Sequence, residues 1–260
     1  MFNYITCVIT GSFVHGSFPV SASTFSQDWF IWACVMGGTF ILLFNIIAFT
    51  AQRIGVAVAS VANKLSLVIP FLFSIFLYDE SSSILKTTGV ILALLAVALT
   101  CFPSRKESRS SKTYNPLLLF VPIFLFAGSG LLDTMIKYVE QEFLTEENKN
   151  AYLITAFLIA GCIGVILLVL SFITGKQRFS FKAVIAGIAI GIPNYFSIWC
   201  LLKVLKQYGE NSSAIIPINN MGIVLFSSVV AWLLFKEKLS AINWLGIIFS
   251  IAAIALIAFG

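Results

Sequence analysis

The sequence predicts an all-α polytopic membrane protein with nine transmembrane helices, arranged as two inverted five-helix repeats of which the first lacks its first helix. The first observation is composition: 59% of the residues are hydrophobic and only 10% are charged. That is more apolar surface than one soluble domain can bury. The second is a series of apolar runs of about 20 residues, the length that crosses a bilayer. The third is a long stretch of sequence that occurs twice.

Nine apolar runs, each bounded by polar residues, are the predicted spans. They are residues 2–18, 29–50, 54–78, 84–102, 115–139, 150–174, 180–205, 211–235 and 240–259. The first run has no basic leading segment and no cleavage site of small residues, so it is interpreted as a helix rather than a signal peptide.

The duplicated stretch is residues 55–100, which align without a gap on residues 212–257. The identical positions include Asn63, which matches Asn220. Each copy consists of an apolar helix, a short acidic turn and a second apolar helix that opens with a serine able to cap it. Resemblance of two apolar helices by composition alone is the alternative explanation.

The repeat defines the predicted domain organisation. Residues 1–103 form the first repeat with four helices, residues 104–114 a basic linker, and residues 115–260 the second repeat with five helices. Because a complete unit holds five helices, an odd number, the two units are expected to cross the membrane in opposite directions, as in many secondary transporters.

Polar side chains within the spans are the candidate functional residues. Each costs roughly 2.5 to 3.5 kcal/mol at mid-span depth on insertion scales, so each is expected to face a cavity or a partner. Pro193 and Pro217 precede two groups of them and can bend their helices there. The predicted substrate-binding residues are Asn45, Asn63, Lys64, Asn194, Tyr195, Trp199, Asn219 and Asn220, and Asp133 is a candidate for proton coupling.

These residues also allow structural explanations. Lys64 could extend to the membrane interface or pair with Asp133 as a structural lock. Asp133 could instead pair with Lys137, four residues later on the same helical face. The asparagines could serve only as hydrogen-bonding contacts between helices.

Three segments carry a family resemblance: SVANKLSLVIPFLFSIFLYDE, IGIPNYFSIWCLLKVL and SSAIIPINNMGIVLFSSVVAWLLFKEKLSAINWLGI. They resemble the EamA-type branch of the drug/metabolite transporter superfamily. The resemblance implies ten helices in two inverted repeats and export or exchange of small metabolites. It also implies a central cavity lined by the third, fourth, eighth and ninth helices, which here are spans two, three, seven and eight. The absent first helix is a departure from that pattern.

The predicted function is therefore a secondary transporter, an exporter or exchanger, of a small polar metabolite such as an amino acid. It would work by alternating access between inverted repeats, as a multi-pass protein of the cell membrane. The expected partners are a small-molecule substrate and the lipid bilayer. Nucleic acid is not expected, because the net charge of +5 fits basic cytoplasmic loops. The sequence does not predict an oligomeric state.

Neither an enzyme nor a bound cofactor or metal is expected. The five cysteines lie in apolar runs without paired spacing, and the chain has a single histidine, His15. A multipass enzyme would need a cluster of such groups. A non-transporting membrane subunit or scaffold would tolerate the same helices, but it gives no reason for the repeated asparagine.

Overall fold

The fold is built from α-helices. This computed structural model describes residues 1–53, 56–78, 83–100, 120–174, 180–235 and 240–260, and within them no strand is found. The helices are α1 (Phe2–His15), α2 (Phe30–Arg53), α3 (Val56–Leu65), α4 (Val68–Tyr78), α5 (Ile84–Thr100), α6 (Phe120–Phe143), α7 (Lys149–Ile173), α8 (Phe181–Gln207), α9 (Ser212–Phe235) and α10 (Ala241–Phe259). The basic linker at 104–114 and the acidic turns at Glu80 and Glu237 lie outside the described residues.

Within the part of the chain that the structure describes, six helices are long and apolar enough to cross a membrane, namely α2, α6, α7, α8, α9 and α10. Shorter apolar stretches run through Ala62–Phe76 and Ile84–Leu99. Helix α1 has 14 residues, which corresponds to about 21 Å, less than the roughly 30 Å of a hydrocarbon core. The all-helical membrane fold is confirmed, and the count of nine spans stays a prediction.

The third predicted span is not one helix. It is interrupted at Ser66 and Leu67, between α3 and α4. Pro70 has no backbone N–H, so it cannot donate to the Ser66 carbonyl four residues earlier. That carbonyl accepts from the Ile69 N–H instead, at 2.9 Å. The break was not predicted, because the sequence stays apolar across it and hydrophobicity does not reveal that Pro70 lacks a backbone N–H donor.

The chain divides into two compact units. Unit 1 is Met1–Phe44 with Met135–Gly209, and unit 2 is Asn45–Thr134 with Glu210–Gly260. Each unit combines segments from both predicted repeats. The repeats were defined from the sequence and the units from helix packing, so the boundaries of the repeats stay a prediction.

In unit 1, α1 packs against α7 and α8 through small residues. A Cβ on Gly11 would lie 2.6 Å from the ring of Tyr195, and one on Gly191 would lie 2.5 Å from Thr6 Cβ. Helices in membranes approach closely at such positions, because van der Waals packing replaces the hydrophobic effect there. Tyr152 and Phe157 of α7 are fully buried in this unit.

In unit 2, α5 and α10 lie side by side and run in opposite directions. Near one end Gly89 faces Ile257, and near the other the Asn243 side chain donates to the Leu99 carbonyl at 3.2 Å. The predicted serine caps are confirmed: Ser83 Oγ accepts from the Lys86 N–H at 3.1 Å, and Ser240 Oγ accepts from the Asn243 N–H at 3.2 Å.

When α5 and α10 are aligned as in the duplicated sequence, matching positions are buried in both helices. The pairs of buried positions are Lys86 with Asn243, Gly89 with Gly246, Val90 with Ile247, Ala93 with Ser250, and Ala96 with Ala253. Antiparallel contact between repeat mates is what a two-fold axis in the membrane plane would produce. The correspondence supports inverted repeats, although the full architecture stays a prediction.

The contact between α5 and α10 can be tested at Gly89. In the variant Gly89→Ala, the added methyl would lie 2.6 Å from Ile257 Cγ1 and 3.1 Å from the Ile257 nitrogen. We expect a loss of roughly 1 to 3 kcal/mol in unfolding free energy from overpacking, measured as a lower thermal midpoint in detergent micelles.

Gly222→Ala in α9 is the matched control, because a Cβ there meets no heavy atom within 4 Å. Its midpoint should stay level or rise slightly, since alanine favours a helix over glycine. Equal midpoints for the two variants would contradict the close packing of α5 on α10.

Candidate substrate-binding site

The break between α3 and α4 holds two of the predicted site residues, Asn63 and Lys64, in the last turn of α3. Ser66 Oγ donates to the Asn63 carbonyl at 2.6 Å, and the Leu67 N–H donates to the Lys64 carbonyl at 3.3 Å. Carbonyls that the interrupted helix would leave without a partner are thereby satisfied. Both side chains are half-buried.

An amide joins two charged groups of unit 2, Lys64 and Asp133. Lys64 Nζ donates to Asn220 Oδ1 at 3.1 Å, and Asn220 Nδ2 donates to Asp133 Oδ2 at 3.3 Å. Asn220 is 6% exposed. The amide oxygen thus faces the cation and the amide nitrogen faces the carboxylate, the one orientation in which both hydrogen bonds form. The arrangement brings α3, α6 and α9 together at one polar cluster.

Helix α6 contributes a second residue, which the sequence analysis missed. Ser129 Oγ donates to Asn63 Oδ1 at 2.7 Å. Ser129 lies four residues before Asp133 and therefore on the same helical face. That spacing was visible in the sequence, but a lone serine in an apolar helix usually bonds to its own backbone.

The network formed by Asn63, Lys64, Ser129, Asp133 and Asn220, here called the polar network, unites four of the predicted residues. The possible pairing of Lys64 with Asp133 takes a specific form, a link through the Asn220 amide. A ligand with complementary charges can compete for the ends of that link. The pairing of Asp133 with Lys137 stays a prediction.

The two other predicted residues of unit 2 are Asn219 and Asn45. Asn219 precedes Asn220 on α9, and Asn45 lies on α2; both are exposed. Successive residues on a helix point about 100° apart, which explains why Asn219 faces away when Asn220 is buried. Their roles in substrate binding stay predictions.

Three predicted residues belong to α8 in unit 1. Asn194 Nδ2 donates to Asn3 Oδ1 at 3.4 Å, and Trp199 Nε1 donates to Asn150 Oδ1 at 3.0 Å. Tyr195 is fully buried. These contacts fit the alternative in which polar side chains tie helices together. Whether the three residues also line a substrate path stays a prediction.

Unit 1 also contains an apolar groove between α1 and α7, with a volume of about 380 Å³. Ile5, Ile9, Phe157 and Val165 are among its lining residues. This lining offers almost no hydrogen-bonding partner to a polar ligand, so the groove is not the predicted site. Across the described part of the chain, no group of three or more His, Cys, Asp or Glu side chains could hold a metal ion.

Comparison with known proteins gives three findings. The model of the EamA-like transporter family matches residues 117–259. An uncharacterized protein of Haemophilus influenzae (strain ATCC 51907 / DSM 11121 / KW20 / Rd) is 28% identical over 213 residues, or 82% of this chain and 69% of that protein. A solved structure, titled only as the crystal structure of a protein, has a TM-score of 0.67 and 14% identity, and the match covers 99% of this chain and 87% of the other.

The solved structure shares the fold, and its low identity carries no further argument. The family match covers more than half of the chain and includes α6 and α9, two of the three helices of the polar network. The chain therefore belongs to the EamA-like transporter family of the drug/metabolite transporter superfamily and is a multi-pass membrane protein.

Proposed function

We propose that this protein is a secondary transporter that carries a small polar metabolite, an amino acid in zwitterionic form, across the cell membrane. The observation that carries the proposal is the Lys64–Asn220–Asp133 link. Charged side chains inside a membrane protein are costly and mark substrate or ion pathways more often than they serve stability. A cation and an anion held at a fixed separation are complementary to a zwitterion.

The dimensions of the link favour an α-amino acid. Standard bond lengths place the oxygen and nitrogen of an amide about 2.2 Å apart and the nitrogen and nearer carboxylate oxygen of an α-amino acid about 2.7 Å apart. A zwitterion can therefore take the place of the Asn220 amide, with its carboxylate on Lys64 and its ammonium on Asp133. Charge-assisted hydrogen bonds at both ends would be stronger than those of the neutral amide.

Asp133 gives this site a means of coupling to protons. The substrate ammonium and a proton compete for the same carboxylate, because a protonated Asp133 no longer attracts a cation. If the site faces one side of the membrane at a time, such competition produces exchange of substrate for protons. Asp133 is thereby the proposed proton-coupling residue, and the exchange is driven by the proton gradient.

Alternating access is proposed to follow from the inverted repeats. The antiparallel packing of α5 on α10, with matching buried faces, supports that arrangement. The interrupted helix α3–α4 resembles the discontinuous helices that form substrate sites in many transporters. In α9, the segment related to α3–α4 by the duplication is one continuous helix, so the two copies are not equivalent at the site.

Transport can be tested with the purified protein in liposomes that contain an unlabelled amino acid, by following uptake of the same labelled amino acid. The wild-type protein should show counterflow with at least one standard amino acid. Asn220→Ala should lower its apparent affinity about tenfold or more, because Lys64 and Asp133, no longer held apart by the amide, can pair directly and the substrate must then break that ion pair.

Asn243→Ala is the matched control. Asn243 is also a buried asparagine of unit 2, but it caps α10 and contacts the Leu99 carbonyl. Its loss should lower stability and leave the KM of the remaining folded protein within about twofold. Absence of counterflow with every amino acid, in folded wild-type protein, would contradict the proposal and favour a non-transporting membrane subunit.

A double-mutant cycle tests the link between the two charges. Lys64→Met alone or Asp133→Asn alone leaves the opposite charge without its counterpart and should lower the thermal midpoint in detergent. The double variant should recover part of that loss, with a coupling free energy of about 0.5 to 3 kcal/mol, the range for residues in one network. Strictly additive losses would show that Asn220 does not connect the two residues.

A further inference from the structure

Ser129 differs from three other hydroxyl-bearing residues in the helices of unit 2. Thr134, Ser228 and Ser250 each donate to the carbonyl four residues earlier in their own helix, at 2.8, 2.8 and 3.0 Å. That bond is the usual one for serine and threonine in a helix interior. Ser129 instead donates to the Asn63 side chain on α3 at 2.7 Å, and it is 6% exposed.

The bond from Ser129 holds the Asn63 amide in one orientation. Because the hydroxyl donates to Oδ1, that oxygen faces α6 and Nδ2 occupies the other branch of the amide. Among the described residues, no acceptor for Asn63 Nδ2 is found. Without Ser129 the amide could rotate by half a turn and present its oxygen where its nitrogen now lies.

Asn63 and Lys64, consecutive residues in the last turn of α3, are both connected to α6. Asn63 reaches Ser129, and Lys64 reaches Asp133 through Asn220. Positions four residues apart on a helix have Cβ atoms about 5 to 6 Å apart. The two side chains of α3 thus approach neighbouring turns of α6, Asn63 directly and Lys64 by way of Asn220.

We propose, resting on the proposed function, that Ser129 is a positioning residue that turns the Asn63 amide nitrogen towards the carboxylate of the substrate. Lys64 supplies the charge, and Asn63 supplies a second donor to the other carboxylate oxygen. A carboxylate offers acceptors to both, whereas a carboxamide places an N–H against one of the two donors. The site thus selects substrates with a free carboxylate over their amides.

The proposal is tested by counterflow in liposomes with Ser129→Ala and Ser129→Thr, using the amino acid that the wild type exchanges fastest. Ser129→Ala should raise the KM about three- to tenfold with the maximal rate within twofold, because the amide is no longer held. Ser129→Thr keeps the hydroxyl and should restore the wild-type KM. Ser228→Ala removes a serine hydroxyl that donates to the Val224 carbonyl of its own helix and should leave the KM unchanged.

Selectivity provides the measurement that a purely structural role would not affect. Inhibition by the amino acid and by its carboxamide is compared in each variant. The ratio of the inhibition constant of the carboxamide to that of the amino acid should be at least tenfold larger for the wild type than for Ser129→Ala. An unchanged KM and unchanged selectivity in Ser129→Ala, with active wild type, would overturn the role of Ser129 alone. An inactive wild type would instead overturn the proposed function.

Discussion

The structure of unit 2 depends on how the charges of Lys64 and Asp133 are accommodated among apolar helices. A cation such as Lys64 or an anion such as Asp133 cannot be left without partners inside a bilayer, because no water is present to solvate it. The Asn220 side chain is a hydrogen-bond partner for both groups, since it accepts from the Lys64 ammonium and donates to the Asp133 carboxylate. Helices α3, α6 and α9 must therefore meet at one point, and the apolar packing around them has to permit it.

Local features of the fold help to place the polar side chains where α3, α6 and α9 meet. The break after Lys64 ends α3 where its polar side chains are needed, and Ser66 satisfies a carbonyl that the break would otherwise expose. In the same unit, glycine and alanine let α5 and α10 approach closely, which stabilises the scaffold. The polar network is held by a few hydrogen bonds. A ligand can replace such hydrogen bonds more readily than it can displace packed apolar side chains.

Much of this could be predicted from the sequence. Apolar runs located the helices, the serine caps of α5 and α10 were visible as residues, and the cost of polar groups in lipid selected Asn63, Lys64, Asp133 and Asn220. The break in α3–α4 was missed because hydrophobicity continues across it. Ser129 was missed because a helical serine usually bonds to its own backbone, and only the three-dimensional structure shows that this one does not.

Contact between the substrate carboxylate and Lys64 is the central claim, and solid-state NMR can test it directly. The protein is reconstituted in liposomes with lysine labelled by ¹⁵N at Nζ and incubated with the transported amino acid labelled by ¹³C at its carboxylate. A salt-bridged pair places the two nuclei within about 4 Å, so a strong dipolar coupling should appear and should vanish in Lys64→Arg. Saturating binding without any coupling between Lys64 and the carboxylate would contradict the account.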